Sequence, residues 1–240
     1  MMVSSWAEQN SKLFPDVHRM KGAALLPHEL SCHGAPRALR EGRPNGLAAP
    51  TPEVGMESLV TYLVAAMVAW VPLHAHAPLE APDDVHARYE SIAHDAMEVA
   101  LEQTEAPLFD GPDGRAQTAV LMLSVASFES SFRKTVDDGV GRGDHGLSYC
   151  LMQIHVGDGV TREGWSGHQL VEDRKLCFRA ALHILRASFS VCKALPIEDR
   201  LSAYASGRCF AEATISRSRI GRARRWWESH APPPSHATES

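Results

Sequence analysis

The chain has 240 residues, of which 44% are hydrophobic and 22% are charged, so it is long and apolar enough to bury one substantial core. This balance is typical of a globular protein and excludes a fibrous or low-complexity chain over most of its length. The formal net charge of −5 argues against nucleic acid as an obligate partner, because a phosphate backbone is bound by a basic surface.

The first segment, residues 1–55, is expected to lack regular structure. Its stretch "HGAPRALREGRPNGLAAPTPEVG" is dense in proline and glycine and has no sustained period. One hypothesis is that the true start is Met56 and that residues 1–55 are an over-extended reading of the gene. The proline-rich tail, residues 231–240, is also expected to be disordered.

The second segment, residues 56–78, is apolar. Within "MESLVTYLVAAMVAWVPLHAHA" there is no formally charged side chain from Ser58 onward if the histidines are neutral. Its most apolar part, Leu59–Leu73, is shorter than the about 20 residues of a membrane-spanning helix. The segment resembles the apolar region of a signal peptide, and Ala75-His76-Ala77 fits a cleavage site. Two interpretations stay open: an export signal, which would contact the membrane through residues 58–73 only if uncleaved, or a buried first helix of the domain.

From Asp83 onward the apolar residues recur with the period of a helix. In the first of these helices Val85, Tyr89, Ile92, Ala96 and Val99 form one stripe. Further helices are predicted over about 117–133, 171–191 and 214–227, together with a short helix in "IEDRLSAYASG" that Gly207 can end. No convincing β-hairpin is found. The predicted fold class is therefore mainly α with few or no short strands, in one domain over residues 83–230.

Glu129 lies near the end of the helix predicted over 117–133, at the edge of the apolar face that Leu121, Val125, Phe128 and Phe132 are expected to form. Phe128 is its neighbour, and Val125 and Phe132 are about one turn away on either side. Apolar surroundings disfavour the charged carboxylate and raise its pKa, which is the property that a general acid needs near neutral pH. The more common role of a glutamate in an amphipathic helix is that of a solvated surface residue.

Five sequence segments occur in this order along the chain: "FESSF", the glycine- and aspartate-rich loop 137–146, "YCLMQIHV", "LVEDRKLCFRAALHIL" and "LSAYASG". This order resembles the catalytic domain of lytic transglycosylases and goose-type lysozymes, members of the lysozyme-like superfamily that cleave peptidoglycan. The resemblance covers roughly residues 83–210. The chain departs from the family at Cys150, where the family has glycine, and at Ala205, where it has asparagine.

The resemblance implies a lysozyme-like helical domain with a substrate groove and a bacterial muramidase that acts on the bond between N-acetylmuramic acid and N-acetylglucosamine. Glu129 would be the catalytic acid and base. Residues that would bind substrate or orient Glu129 are Ser130, Met152, Gln153 and Tyr204. A lysozyme-type hydrolase would instead activate water, for which the candidates are Asp137, Asp138 and Asp144; the other explanation for these aspartates is loop solvation and turn formation. The alternative function is a non-catalytic peptidoglycan-binding or structural protein of an envelope or virion.

Four of the five cysteines lie within residues 150–209, and only Cys32 lies outside that window. An even set in the folded part suggests two disulfides and an oxidising compartment, whereas buried free thiols are the alternative. Three pairings are possible, and the sequence does not choose among them. We expect Cys150–Cys177 and Cys192–Cys209, because each pair would join neighbouring helix ends. The protein is then exported, to the periplasm or the cell exterior, with or without an N-terminal membrane anchor.

No metal or cofactor is expected. The sequence offers two pairs of histidines, His74 with His76 and His145 with His155, but neither pair has an acidic residue at a spacing typical of a metal site. The arginines of "RSRIGRARRWW" are interpreted as a solvated helix face, although they could meet anionic wall polymers. Trp226 and Trp227 are expected to cap the core. The expected partner is the glycan strand of peptidoglycan, with no nucleic acid, and the protein is expected to be a monomer.

Overall fold

The computed structural model describes residues 53–230, in which helices predominate, as predicted. The expected disordered tail 231–240 and nearly all of segment 1–55 lie outside the described residues. Within them, a two-stranded antiparallel sheet is formed by β1 (Ser148–Tyr149) and β2 (Ile154–His155). The helices are α1 (Glu53–Trp70), α2 (Pro82–Leu101), α3 (Gly114–Glu129), α4 (Lys134–Asp137), α5 (Gly167–Glu172), α6 (Arg174–Val191), α7 (Ser202–Ser206) and α8 (Ala213–Ser229), with 3-10 turns at Leu73–His76, Asp144–Gly146 and Ile197–Asp199.

Helix α2 is the centre of the core. Its predicted stripe, from Val85 to Val99, is completely buried, and α1, α3 and α6 pack around it. Helix α8 packs on α3, and its two tryptophans, Trp226 and Trp227, both contact the ring of Tyr62 in α1. The last helix of the described chain is therefore joined to the first, and the tryptophans cover the edge of the core as predicted.

The apolar segment 56–78 forms most of α1 and the turn that follows it. Leu63, Ala66 and Met67 have no solvent exposure. Nε2 of His76 lies 2.8 Å from the hydroxyl oxygen of Tyr89 in α2, and that hydroxyl donates to the carbonyl of Val71. The segment is thus a core helix with a buried end, as in the second of the two interpretations. In the part of the chain from 53 to 230, no helix is long and apolar enough to span a membrane.

Helix α3 ends earlier than the sequence predicted. We expected a helix to about residue 133 with Phe128 and Phe132 on its buried face, but α3 ends at Glu129. Ser131 and Phe132 both have φ of 51°, so the chain turns and buries Phe132 completely, while Phe128 remains 40% exposed. Ser130 explains the stop, because its Oγ accepts the Phe132 N–H and donates to the Ala126 carbonyl, and such local bonds compete with the helix.

The helix predicted over 171–191 is two helices that meet at Asp173. Helix α5 begins with a capping box between Ser166 and Gln169, and Asp173 caps α6 by accepting the Leu176 N–H at 3.0 Å. Gly207, with φ of 71°, ends α7 in the left-handed conformation, as predicted. These caps fix where α6 and α7 begin and end, and so fix the residues that face α8.

Replacing Leu63 by alanine tests whether α1 belongs to the folded domain. We expect Leu63→Ala to lower the free energy of unfolding by about 2–5 kcal/mol, because it leaves a cavity in the core. Urea unfolding followed by circular dichroism measures the change, with Leu79→Ala as the control, since Leu79 is 85% exposed. Equal stability of the two variants would show that α1 does not pack as described.

Candidate active site

Glu129 is the last residue of α3 and forms an ion pair with Arg219 of α8. The carboxylate Oε1 lies 2.5 Å from Nη2 of Arg219, and the side chains are 19% and 9% exposed. The interpretation of the α8 arginines as a solvated face is therefore wrong for Arg219, which is buried against α3. This pair cannot be predicted from the sequence, because 90 residues separate its two members and no local pattern relates them.

Burial and the charge of Arg219 act on Glu129 in opposite directions. Burial raises the pKa of the Glu129 carboxyl, whereas the positive charge and hydrogen bond of Arg219 lower it, and the net pKa is raised. The contact with Arg219 involves a single nitrogen, since its Nε and Nη1 have no hydrogen-bond partner among the described residues. The direction of the pKa shift is therefore the one that the sequence predicts, and burial is its largest cause.

Tyr204 of α7 reaches this site through Arg219. The guanidinium carbon of Arg219 lies 5.7 Å from the centre of the Tyr204 ring, within the range of a cation–π contact. The Tyr204 hydroxyl donates to the carbonyl of Met152 at 2.9 Å. Burial, with a further contribution from the negative charge of Glu129, raises the pKa of Tyr204 well above its ordinary value of 10.0. The phenol therefore stays protonated and joins Arg219 to the loop that contains Met152.

That loop, residues 143–155, is held by Gln153. Its Oε1 accepts the Gly143 N–H at 2.9 Å, and its Nε2 donates to the Cys150 carbonyl at 3.0 Å. The side chain of Met152 is completely buried. We expected Met152 and Gln153 to contact substrate, but in the structure one packs in the core and the other closes the loop. Met152 therefore supports the loop from the core, and the half-buried Gln153 fixes its shape.

Ser130 has a similar role. It is buried, and its hydroxyl bonds to the backbone at Ala126 and Phe132, so it forms the turn that follows Glu129. No hydrogen bond joins it to the carboxylate of Glu129 within residues 53–230. Its contribution to the site is to end α3 at the residue that bears the acid.

The three loop aspartates all have cationic or histidine partners. Asp137 accepts two bonds from Arg174, at 3.0 and 2.8 Å, and Asp138 pairs with Lys134 at 2.6 Å. Oδ2 of Asp144 lies 2.5 Å from Nδ1 of His155, so His155 does have an acidic neighbour that the spacing did not reveal. Asp137 and Asp138 face a pocket of about 450 Å³ between α2 and the α5–α6 junction, and Glu129 is not among the residues that line it.

One group of described side chains has metal-binding geometry. The possible ligand atoms of His94, Asp95 and Glu98 lie within 4.8 Å of one another. Asp95, however, accepts a bond from Arg174 at 2.6 Å, and Glu98 pairs with Lys175 at 3.0 Å. Both carboxylates already have positive partners, so the group is explained as part of a surface ion-pair network.

Two disulfides are present, Cys150–Cys177 and Cys192–Cys209, which is the pairing that we expected. Cys150 has φ of 57°, in the left-handed region that glycine adopts most readily, and it ties the loop 143–155 to α6. Cys192, the C-cap of α6, is tied to the segment just after α7. Two disulfides in one domain suggest an oxidising, exported environment.

Comparison of the chain with known protein families, with curated proteins and with solved structures finds no match.

The titration of Glu129 affects stability in a direction that can be measured. Because its pKa is raised in the folded protein, the stability that its proton contributes is complete below its ordinary pKa of 4.5 and is lost as the pH rises through the folded-state pKa. Glu129→Gln does not titrate. We therefore expect the unfolding free energy of the variant to increase relative to wild type as the pH rises from about 4 through the folded-state pKa of Glu129. Glu228→Gln, at an exposed position, is the control, and a decrease would mean that Arg219 outweighs burial.

Removal of the Cys192–Cys209 bond should destabilise the α7 region. The bond closes a loop with a sequence separation of 17, for which chain entropy predicts a loss of about 3 kcal/mol. We expect Cys192→Ala/Cys209→Ala to show this loss in urea unfolding without reductant. Adding reductant should also lower the unfolding free energy of the wild type. If reductant left the stability of the wild type unchanged, these bonds would have no stabilising role.

Proposed function

We propose that the protein cleaves the glycan strands of peptidoglycan between N-acetylmuramic acid and N-acetylglucosamine, acting in the periplasm or outside the cell. The observation that carries the proposal is Glu129: a largely buried carboxyl with a raised pKa, at the end of a helix where the sequence resemblance expects the catalytic acid. A group of this kind is suited to hold a proton near neutral pH and to release it to a bound substrate.

The favoured reaction is lytic transglycosylation. Protonated Glu129 gives its proton to the glycosidic oxygen as the bond to the anomeric carbon breaks through an oxocarbenium-like transition state. The 6-hydroxyl of the same muramic acid then attacks the anomeric carbon and returns its proton to Glu129, which yields a 1,6-anhydro sugar. Between these steps Glu129 is ionised, and Arg219, whose Nη2 is 2.5 Å from it, would stabilise that charge.

Arg219 also has to permit protonation of Glu129 in the resting enzyme. It offers the carboxylate one nitrogen where a bidentate fork would offer two, so the attraction is weaker than burial and the pKa is raised rather than lowered. The cation–π contact of Arg219 with Tyr204 would help to keep the guanidinium from turning its second edge to the carboxylate. This balance between burial and a single hydrogen bond from Arg219 suits a residue that must accept and release one proton in each cycle.

A non-catalytic peptidoglycan-binding or structural protein is the second candidate, and one observation favours it. Glu129 is engaged in a short ion pair, while the polar groups of Gln153 and Ser130 are bonded to the backbone. Such a set of contacts also fits a residue whose function is to hold α8 against α3. Retained binding without cleavage would identify this candidate.

Digestion of purified peptidoglycan, followed by mass spectrometry of the fragments, tests the proposal. We expect 1,6-anhydro fragments from the wild type and a loss of roughly 10²–10⁴-fold in turnover for Glu129→Gln, the usual contribution of a general acid. The amide keeps an oxygen for Arg219, so folding should be retained, and Glu228→Gln is the matched control on the exposed part of α8.

The fragments also separate the alternatives. Products that are heavier by one water would indicate hydrolysis of the lysozyme type. A Glu129→Gln variant that folds and cleaves like the wild type would rule out Glu129 as the acid, and binding without any fragments from the wild type would favour the non-catalytic candidate.

A further inference from the structure

Helix α8 carries five arginines, three of which are neutralised by carboxylates. Arg219 pairs with Glu129. Arg217 donates two hydrogen bonds to Asp199, and Arg224 pairs with both Glu198 and Glu228. No described carboxylate contacts the other two arginines, Arg222 and Arg225. The unneutralised positive charge of α8 is therefore concentrated at these two positions.

Arg222 is partly buried against the last turn of α3, which ends at Glu129. Its Nη1 donates to the hydroxyl of Ser127 at 2.6 Å, and its guanidinium carbon lies 3.9 Å from the centre of the Phe128 ring. Ser127 and Phe128 directly precede Glu129 in α3. Partial burial, together with the nearby charge of Arg225, lowers the pKa of Arg222. A cation is thus held over the partly exposed ring of Phe128, the residue that precedes Glu129 in α3.

Arg225 stands three residues later in α8, so its side chain shares a face with that of Arg222. It is exposed. Two like charges at this spacing destabilise a helix, and partial burial of one of them without a counter-charge adds to that cost. An anionic ligand that bound between them would supply the counter-charge that the described residues do not.

We propose that Arg222, Arg225 and Phe128 bind the stem peptide of a peptidoglycan strand whose glycan lies at Glu129. This inference rests on the proposed function and names a second part of the same substrate. The stem peptide carries free carboxylates, which suit the two guanidinium groups, and alanine methyl groups, which suit the exposed ring of Phe128. In an intact strand the lactyl carboxyl of the muramic acid is consumed in the amide bond to the stem, so the stem provides the nearby negative charge.

The test is a calorimetric titration of the Glu129→Gln protein, in which cleavage does not interfere. Three ligands are compared: glycan strands that keep their stem peptides, the same strands after an amidase has removed the stems, and neutral chitin oligosaccharides. We expect Arg222→Gln/Arg225→Gln to weaken binding of the stem-bearing strands by about tenfold or more, and to leave the other two ligands unaffected. Added salt should weaken the binding of stem-bearing strands to the parent protein.

The matched control is Lys193→Gln/Arg208→Gln, which removes the same two charges from positions next to the Cys192–Cys209 bond. Arg225→Gln alone keeps the contacts of the partly buried Arg222 and should show a smaller loss in the same direction. Circular dichroism checks that each variant is folded.

Several results would overturn the inference. If the arginine variant lost affinity equally for stem-bearing and stem-free strands, the arginines would instead bind the lactyl carboxylate. If the control variant lost as much affinity as the arginine variant, the effect would come from net charge alone. If neither arginine variant changed the affinity for any ligand, Arg222 and Arg225 would not form a binding site, and the proposed function would still stand. If the parent protein binds none of the three ligands, the proposed function is itself overturned.

Discussion

The partly buried ion pair between Glu129 and Arg219 is the contact on which the candidate site depends. It joins the end of α3 to the middle of α8, and it sets the protonation of Glu129 through two opposed effects, burial and a neighbouring charge. It also brings in Tyr204, whose ring lies against the same guanidinium. A change in the position of α8 would therefore alter the acid, its charge partner and the contact to α7 together.

The loop 143–155, which Tyr204 joins to this pair, is held at several points by hydrogen bonds and one disulfide. Gln153 closes it with both ends of its amide, Cys150 ties it to α6, and Tyr204 holds it through the Met152 carbonyl. Cys150 and Gln153 both have positive φ values, which are unfavourable for residues other than glycine. The covalent bond and the amide bridge offset that cost, so the loop keeps a shape that glycine would otherwise provide.

Much of the fold could be predicted from periodicity, because long amphipathic helices such as α2 repeat one apolar stripe that a single core buries. The end of α3 could not, since it depends on the hydroxyl of Ser130 competing for backbone groups, and so Phe128 was expected on the buried face. Glu129 was found through its neighbours and the order of motifs. Arg219 was missed, because nothing local to "RSRIGRARRWW" tells which arginine faces α3 and which faces water. The burial of Met152 and the backbone bonds of Gln153 could not be predicted either, because both depend on how the loop 143–155 closes on itself.

The Cys192–Cys209 bond links the chemistry of the surroundings to the geometry of the site. Tyr204 lies within the stretch of chain that this bond closes, and α7 itself is only a single short helix. In a reducing compartment, α7 would be held by noncovalent contacts alone. The cation–π contact between Arg219 and Tyr204 would then be less well fixed. The site is therefore expected to reach its most rigid form only after oxidation, which makes maturation of the disulfides a step in the assembly of the site as well as a source of stability.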